Sequence, residues 1–260
     1  MSTRLRNAAK TAALGVAPLI VLALAWQGAA NAGLIDSLQW ASPWLVLLAF
    51  GMQFSDPQFW TDLAASLVRG AAGTAIGILI GTLGGLLLGA SAMARELVLP
   101  TLDTAKAIPI FTWVPLLSIW AGSGEGGKVT FIAIAAALPA LFSSAEGVIS
   151  VPGTYLELTR QLCLPRLTVW RRAIFPGALP GVLRGVHLAL LYGWLATIGA
   201  EYFFQSGAGI GGNIMGAREL YALDLVGADM LVIGAIGMAL DAASRALETY
   251  LLRWQGKTRQ

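Results

Sequence analysis

Apolar runs long enough to cross a bilayer recur along this chain, and most of its charged residues fall in the stretches between them. A helix needs roughly 20 apolar residues to cross ~30 Å of hydrocarbon. A backbone inside lipid must satisfy its own polar groups, so runs of this kind are read as helices. They fall at 11–30, 66–93, 129–149, 180–201 and 229–252, with a shorter, proline-broken run at 108–122. The expectation is an all-α integral membrane protein, a bundle of six transmembrane helices forming one membrane domain over residues 1–260. Composition agrees: of 260 residues, 57% are hydrophobic and 12% charged, and mean hydropathy is +0.71. That balance excludes an ordinary soluble domain.

Orientation is read from the positive charges. Arg4, Arg6 and Lys10 precede the first run, in a pattern that imitates a signal peptide. The run is long enough to span, so it is taken as an uncleaved first helix. Residues 31–62 contain no Lys or Arg. Within them the Trp40–Phe50 segment is apolar but short, with tryptophans at its start. The segment 38–62 is therefore expected to be interfacial on the outer face rather than a seventh span. With six spans, Arg95, Lys106, Arg160, Arg166, Arg171, Arg172, Arg253, Lys257 and Arg259 share the side of the N-terminal cations. Lys128 and Arg218, with Arg69 at a span's outer end, fall on the other. This bias predicts that both termini are cytoplasmic.

Inside the spans, Gly73, Gly77, Gly81, Gly85 and Gly89 recur every fourth residue. Such spacing cuts a smooth groove into one helix face and lets a neighbouring backbone approach. Pro109 and Pro115 break the third span. Breaks are tolerated in lipid where protein or a water-filled cavity covers the freed backbone groups. The reading is either a span beside a solute path or an ordinary kinked helix. Residues 95–106, before it, are expected to form a short inner loop. Intramembrane ionisable groups are costly and often functional. Glu201 either lines the mouth of a pathway or faces water at the interface. His187 is either a hydrogen-bonded packing group or a proton relay. Asp241 and Arg245 form an i,i+4 pair.

Two glycine-rich segments are decoys. Gly122 to Lys128 matches G-x-x-x-x-G-K, but Val129 stands where a phosphate loop needs Ser or Thr, and a membrane span precedes it. Gly207 to Gly212 matches G-x-G-x-x-G without a βαβ context. Each is read as an outer turn, the second opening an outer loop over 202–228. The chain has one cysteine and one histidine, which exclude an internal disulfide, a Cys/His zinc set and an HExxH site.

The polar stretch from Thr154 to Pro180 interrupts the apolar pattern. Thr154 followed by Glu157 reads as a capping box. Leu156, Leu162 and Cys163 then fall on roughly one side, with Arg160 away from them. Pro165 stops this first helix and starts a second, which Pro176 and Pro180 cut. Two short amphipathic helices joined at a kink, outside the bilayer, look like a handle for another protein.

The segment Glu157-Leu158-Thr159, then Cys163, then Ala173-Ile174-Phe175-Pro176 resembles the EAA signature of ABC importer permeases. Leu158 and Thr159 stand in place of two alanines, and Cys163 in place of a glycine, where a left-handed backbone would be strained. The continuation Pro176–Phe203, the Trp120–Lys128 loop and Ser206–Gly211 resemble the nitrate/sulfonate/taurine branch. The likeness runs from about Trp26 to Trp254. It implies a type I importer permease fold with a cytoplasmic coupling helix pair over 154–176. Thr154, Glu157, Leu158, Thr159, Arg160, Cys163, Ile174 and Pro176 would dock a separate ATPase. Glu201, Pro109, Pro115 and His187 are the candidate pathway residues. The resemblance further implies a periplasmic substrate-binding protein and a second permease copy as partners, and a bacterial inner-membrane location. ATP and Mg²⁺ would be held by the partner subunit and no cofactor by this chain. The solute would be an aliphatic sulfonate, taurine, nitrate or a similar oxyanion. The alternatives are an uncharged heterocycle such as a vitamin precursor, or an autonomous secondary transporter. No nucleic-acid partner is expected.

Overall fold

A computed structural model describes residues 2–34, 40–204 and 207–253, with side chains from residue 17 onward. Every regular element among them is helical. In chain order these are α1 (Ser2–Asn31), α2 (Pro43–Gln53), α3 (Pro57–Ala90), α4 (Ala92–Ala107), α5 (Val114–Trp120), α6 (Glu125–Ile149), α7 (Gly153–Gln161), α8 (Arg166–Val169), α9 (Phe175–Phe204), α10 (Ile210–Glu219) and α11 (Leu223–Leu251). Four stretches are long and apolar enough to cross a membrane: α3, α6, α8 running into α9, and α11. A fifth is the pair α4 and Ile110–Trp120, bent by 93° at its break. The first expected span, 11–30, lies on α1, whose apolar described part is Ala17–Asn31.

The chain divides into two compact units. One comprises Met1–Trp60 and Asn213–Ile233. Here the Trp44 N–H donates to Gln27 Oε1 at 2.9 Å, joining α2 to α1. Ser42 caps α2 by accepting the Leu45 N–H, and Pro43 sits in the first turn, where its missing donor costs nothing. At 11 residues α2 is about 16 Å long, too short to cross. Gly227 leaves room for the Val46 side chain.

The other unit, Thr61–Gly212 with Gly234–Gln260, contains the core. Its centre is α6, where Phe131, Ile132, Ala136, Ala140 and Ser144 are sealed from solvent. The glycine groove of α3 faces α6. A Cβ at Gly73 would meet Ile132, at Gly77 Ala133 and Ala136, at Gly81 Ala137, at Gly85 Leu141 and Ser144, and at Gly89 Ala145 and Val148. Both sets of numbers rise together, so α3 and α6 run parallel. Helix α9 runs antiparallel to α6, with Gly181 against Gly147 and Gly185 against Ala140 and Ser143. Helix α9 also meets α3, where Gly70 faces Thr197 and Gly193 faces Thr74. Removing Cβ atoms brings three backbones close, which replaces the hydrophobic drive that lipid cannot supply.

Several expectations are corrected. The loop expected over 95–106 is helix α4, capped by Ser91, which accepts the Ala94 N–H. The third span does not run unbroken over 108–122: the chain turns at Ile108–Pro109, makes one 3₁₀ turn over Ile110–Trp113, and only then forms α5. The outer loop expected over 202–228 contains α10, and α11 starts at Leu223 rather than 229. The fourth span begins at Glu125, so only Gly122 to Gly124 turn. Prolines 176 and 180 do not cut the second coupling helix. It passes through a wide π turn over Trp170–Ile174 into α9. That turn shifts the hydrogen-bond register just ahead of Pro176, where a donor is missing in any case.

Candidate functional site

Three features of the larger unit bear on function, and the helices that built its core also position them. The first is a cluster of charges where α3 begins, α6 begins and α9 ends. Asp62, Ser66 and Arg69 fall at i, i+4 and i+7 on α3, and all are buried. The Arg69 guanidinium pairs through Nη1 with the Glu201 carboxylate. Through Nε and Nη2 it holds Glu125 at 2.6 and 2.7 Å. Glu201 is 2% exposed. It also accepts Ser66 Oγ–H at 2.9 Å and the Gly211 N–H at 2.9 Å. The Gly209 N–H donates to Asp62 Oδ1 and the Ile210 N–H to Ser66 Oγ, while the Ala208 carbonyl accepts from Arg69. The first amides of α10 are thus satisfied by acidic and hydroxyl side chains, as a helix N-terminus requires. Lys128 is also buried here, 3.5 Å from Glu125.

This arrangement explains the second decoy. A Cβ on Gly209 would stand 2.5 Å from the Glu201 carboxyl carbon, and one on Gly211 2.7 Å from Glu201 Cβ. The glycines admit a carboxylate, not a phosphate. It also corrects one reading: Glu201 does not face water. Arg69, Lys128 and Glu201 are buried together. The i, i+4, i+7 spacing of Asp62, Ser66 and Arg69 was the signal for this in the sequence.

The second feature is a cavity of about 520 Å³ beneath the break between α4 and α5. It is lined by Lys106 and by Pro109 and Trp113 of the break. Ile134, Leu138 and Phe142 line it from mid-length of α6, and Leu188 and Tyr192 from α9. Irregular backbone borders a cavity here, which is where a break within a membrane helix is tolerated. Pro109, which starts the 3₁₀ turn, lines this space. Pro115 sits in the first turn of α5, and neither it nor Glu201 nor His187 lines the cavity. His187 instead ties α9 to α11: its Nδ1 lies 2.6 Å from Ser244 Oγ and its Nε2 3.4 Å from Asp241. Asp241 in turn accepts from Arg245 Nε at 2.8 Å, the i,i+4 pair read from the sequence.

The third feature is the bent pair beyond the end of α6. Helix α7 starts at Gly153, with Pro152 as its N-cap residue, and no side chain caps it. The Thr154–Glu157 capping box is not formed, because Pro152-Gly153 opens the helix before Thr154 can precede it. At the other end the Leu164 N–H reaches Thr159 O at 3.1 Å and the Cys163 N–H reaches Arg160 O at 3.0 Å. This is a Schellman turn whose left-handed residue is Cys163, at φ 50°. Pro165 then caps α8. Leu156 and Thr159 are half-buried, whereas Tyr155, Leu158 and Leu162 are 58%, 48% and 68% exposed. At i, i+3 and i+7 they form one apolar stripe facing out, so Leu156 does not share a side with Leu162 and Cys163 as expected. Thr154, Glu157, Arg160 and Cys163 are also exposed, and Ile174 and Pro176 half-buried.

The family model described as "Binding-protein-dependent transport system inner membrane component" matches residues 73–256. The taurine transport system permease protein of Escherichia coli (strain K12) is 32% identical over 249 residues, covering 94% of this chain and 90% of that protein. The bicarbonate transport system permease protein of Synechococcus elongatus is 31% identical over 196 residues, covering 75% and 70%. Among solved structures, an amino acid ABC transporter crystallised with histidines superimposes with a TM-score of 0.62 at 16% identity, covering 78% of this chain and 96% of that one. At that identity the likeness shows the fold.

Proposed function

The chain belongs to the binding-protein-dependent transport system inner membrane components, the permease subunits of ABC importers, and on that premise we propose how it works and what it carries. It forms the path for a small anionic solute, as the permeases it resembles do for taurine and bicarbonate. The observation that supports this reading is the bend between α7 and α8, where α7 turns Tyr155, Leu158 and Leu162 outward before α8 runs on into α9. An apolar stripe on a polar, arginine-bearing element fits a groove on a partner protein. That partner is a separate cytoplasmic ATPase, which holds ATP and Mg²⁺ and docks on Thr154, Glu157, Leu158, Thr159, Arg160 and Cys163. The positive-charge bias of the sequence supports a cytoplasmic location for this pair and both termini. A periplasmic binding protein delivers the solute to the opposite face, and a second copy of the chain completes the path. The cavity beneath the α4–α5 break is a segment of that path.

ATP binding would draw two ATPase subunits together and move the coupling pair with them. The driving term is the difference in docking energy between the two ATPase states. The test is reconstitution. The complex is purified through a tag on this chain and placed in liposomes with binding protein and labelled taurine, and uptake is followed with and without ATP. Uptake that requires ATP and the ATPase subunit is expected. Gradient-driven flux through the chain alone would overturn the proposal.

A further inference from the structure

From Leu158 to Ala200 the chain holds no acidic residue and five arginines: Arg160, Arg166, Arg171, Arg172 and Arg184. Elsewhere Arg69, Lys106, Lys128 and Arg245 each lie within ion-pair distance of a carboxylate. Arg166, Arg171 and Arg172 are exposed, and among the described residues none of the three has an ion pair or a side-chain hydrogen bond. Arg171 and Arg172 sit in the π turn through which α8 runs into α9. Phe175, four residues on from Arg171, is 46% exposed and lies on roughly the same side. The level of this elbow follows from α6. Its 25 residues span about 37 Å, longer than the ~30 Å hydrocarbon core, so its ends reach the headgroup layers. The residues just past its last turn are level with Gly177, whose Cβ would stand 3.0 Å from Val151. Arg172 and Arg171 lie roughly 8 Å further along the axis, where their long side chains reach lipid phosphates.

From this geometry, and resting on the importer reading for which end of α9 is cytoplasmic, we propose that the elbow binds an anionic phospholipid of the inner leaflet. Arg171 and Arg172 hold its phosphate, Arg166 adds charge, and the glycerol and upper acyl chains lie on Phe175. The order along the helix, cations and then an aromatic ring, repeats the order in the lipid, phosphate and then hydrocarbon. Guanidinium forks match phosphate oxygens bidentately, which a point charge does not. A zwitterionic headgroup brings its own ammonium to the phosphate, so the free arginines favour a lipid with net negative charge. The outward stripe of α7 lies beyond the Cys163 turn, whereas the elbow continues directly into the α9 span. A lipid held here fixes the root of the coupling pair at the bilayer surface.

The test is native mass spectrometry of the full chain in neutral detergent. Phosphatidylglycerol, cardiolipin and phosphatidylcholine of matched acyl chains are titrated in turn. Phosphatidylglycerol should bind roughly tenfold or more tightly than phosphatidylcholine, and cardiolipin at least as tightly as phosphatidylglycerol. Arg171→Gln and Arg172→Gln should each weaken phosphatidylglycerol about fivefold, and the double variant about 25-fold. Arg218→Gln on α10 should change nothing. Phosphatidylglycerol should also raise amide-exchange protection over residues 166–175 in the wild-type chain and not in the double variant. Helicity and thermal melts of each variant separate lost binding from lost folding. Equal affinity for the two glycerophospholipids, or an unchanged Kd in the double variant, would overturn the proposal. So would a double variant that keeps its lipid but no longer retains the ATPase on a tag column, because the arginines would then belong to protein docking. ATP-driven uptake without any lipid preference would leave the importer reading intact and remove this one. Lipid preference lost with Arg171 and Arg172, in a chain without ATP-driven uptake, would do the reverse.

Discussion

Arg69 and Glu201 form a buried ion pair that joins the start of α3 to the end of α9, with both side chains at most 4% exposed. Glu201 depends on Arg69 for its opposite charge in direct contact, whereas Arg69 also holds Glu125. Removing one partner of such a pair leaves an uncompensated buried charge, whereas replacing both with apolar groups of like volume is often near neutral. Arg69→Met should cost about 3–5 kcal/mol, Glu201→Leu less because Glu125 still holds Arg69, and the double variant less than their sum. Thermal unfolding of the purified chain in a double-mutant cycle measures this. Additive losses would show that the two groups do not act together.

The left-handed backbone at Cys163 makes a second prediction. A non-glycine residue in that region pays about 1–2 kcal/mol, which glycine avoids. Cys163→Gly should tighten the last turn of α7, raising amide-exchange protection at residues 162–164 by roughly fivefold or more. Cys163→Val should lower it, since a β-branched side chain suits that backbone poorly.

Cys163 is exposed and is the chain's one cysteine, so it also reports orientation. A membrane-impermeant maleimide should label it in inside-out vesicles and leave it unlabelled in right-side-out vesicles. The opposite pattern would place the α7–α8 pair away from any ATP.

The outward stripe on α7 should be separable from the fold. Leu158→Glu and Glu157→Lys change exposed positions, where surface substitutions usually alter stability by no more than about 0.5 kcal/mol. Both variants should reach the membrane with normal thermal stability. Both should lose ATP-coupled uptake, and Leu158→Glu should also fail to retain the ATPase on a tag column. Normal uptake by Glu157→Lys would remove that residue from docking.

Steric cost dominates on α3. A Cβ on Gly77 would stand 2.5 Å from the Ala133 carbonyl oxygen and 2.7 Å from the Ala136 methyl. Backbone cannot yield as a flexible side chain can, so Gly77→Leu should cost at least the ~1–3 kcal/mol typical of overpacking. The readout is the yield and melting temperature of monodisperse protein. Gly28→Leu, where a Cβ meets nothing, is the control.

How much of this was legible depends on the range of the interaction. The four-residue glycine spacing on α3 announced a close helix contact, and Pro165 announced the start of α8, because each acts within one or two turns. The break at Pro109 was visible too, but the direction of the chain after it was not, since a 93° turn depends on what α6 and α9 leave open. The capping box failed because Pro152 and Gly153 settle the α7 terminus before Thr154 can. The pairing of Arg69 was not legible because its two carboxylates lie 56 and 132 residues away. Only the register of Asp62, Ser66 and Arg69 hinted that the three shared a face.

The glycine-lined contact of α3 with α6 and of α6 with α9 has a mechanical consequence. Helices that meet backbone to backbone have no side-chain cushion in which to slide, and close-packed interiors switch between discrete arrangements rather than deform smoothly. With the α3, α6 and α9 termini pinned by Arg69 as well, these three behave as a single beam. Displacement during a transport cycle then falls on its hinges, at Ile108–Pro109 and at Cys163–Pro165, where no helix runs through.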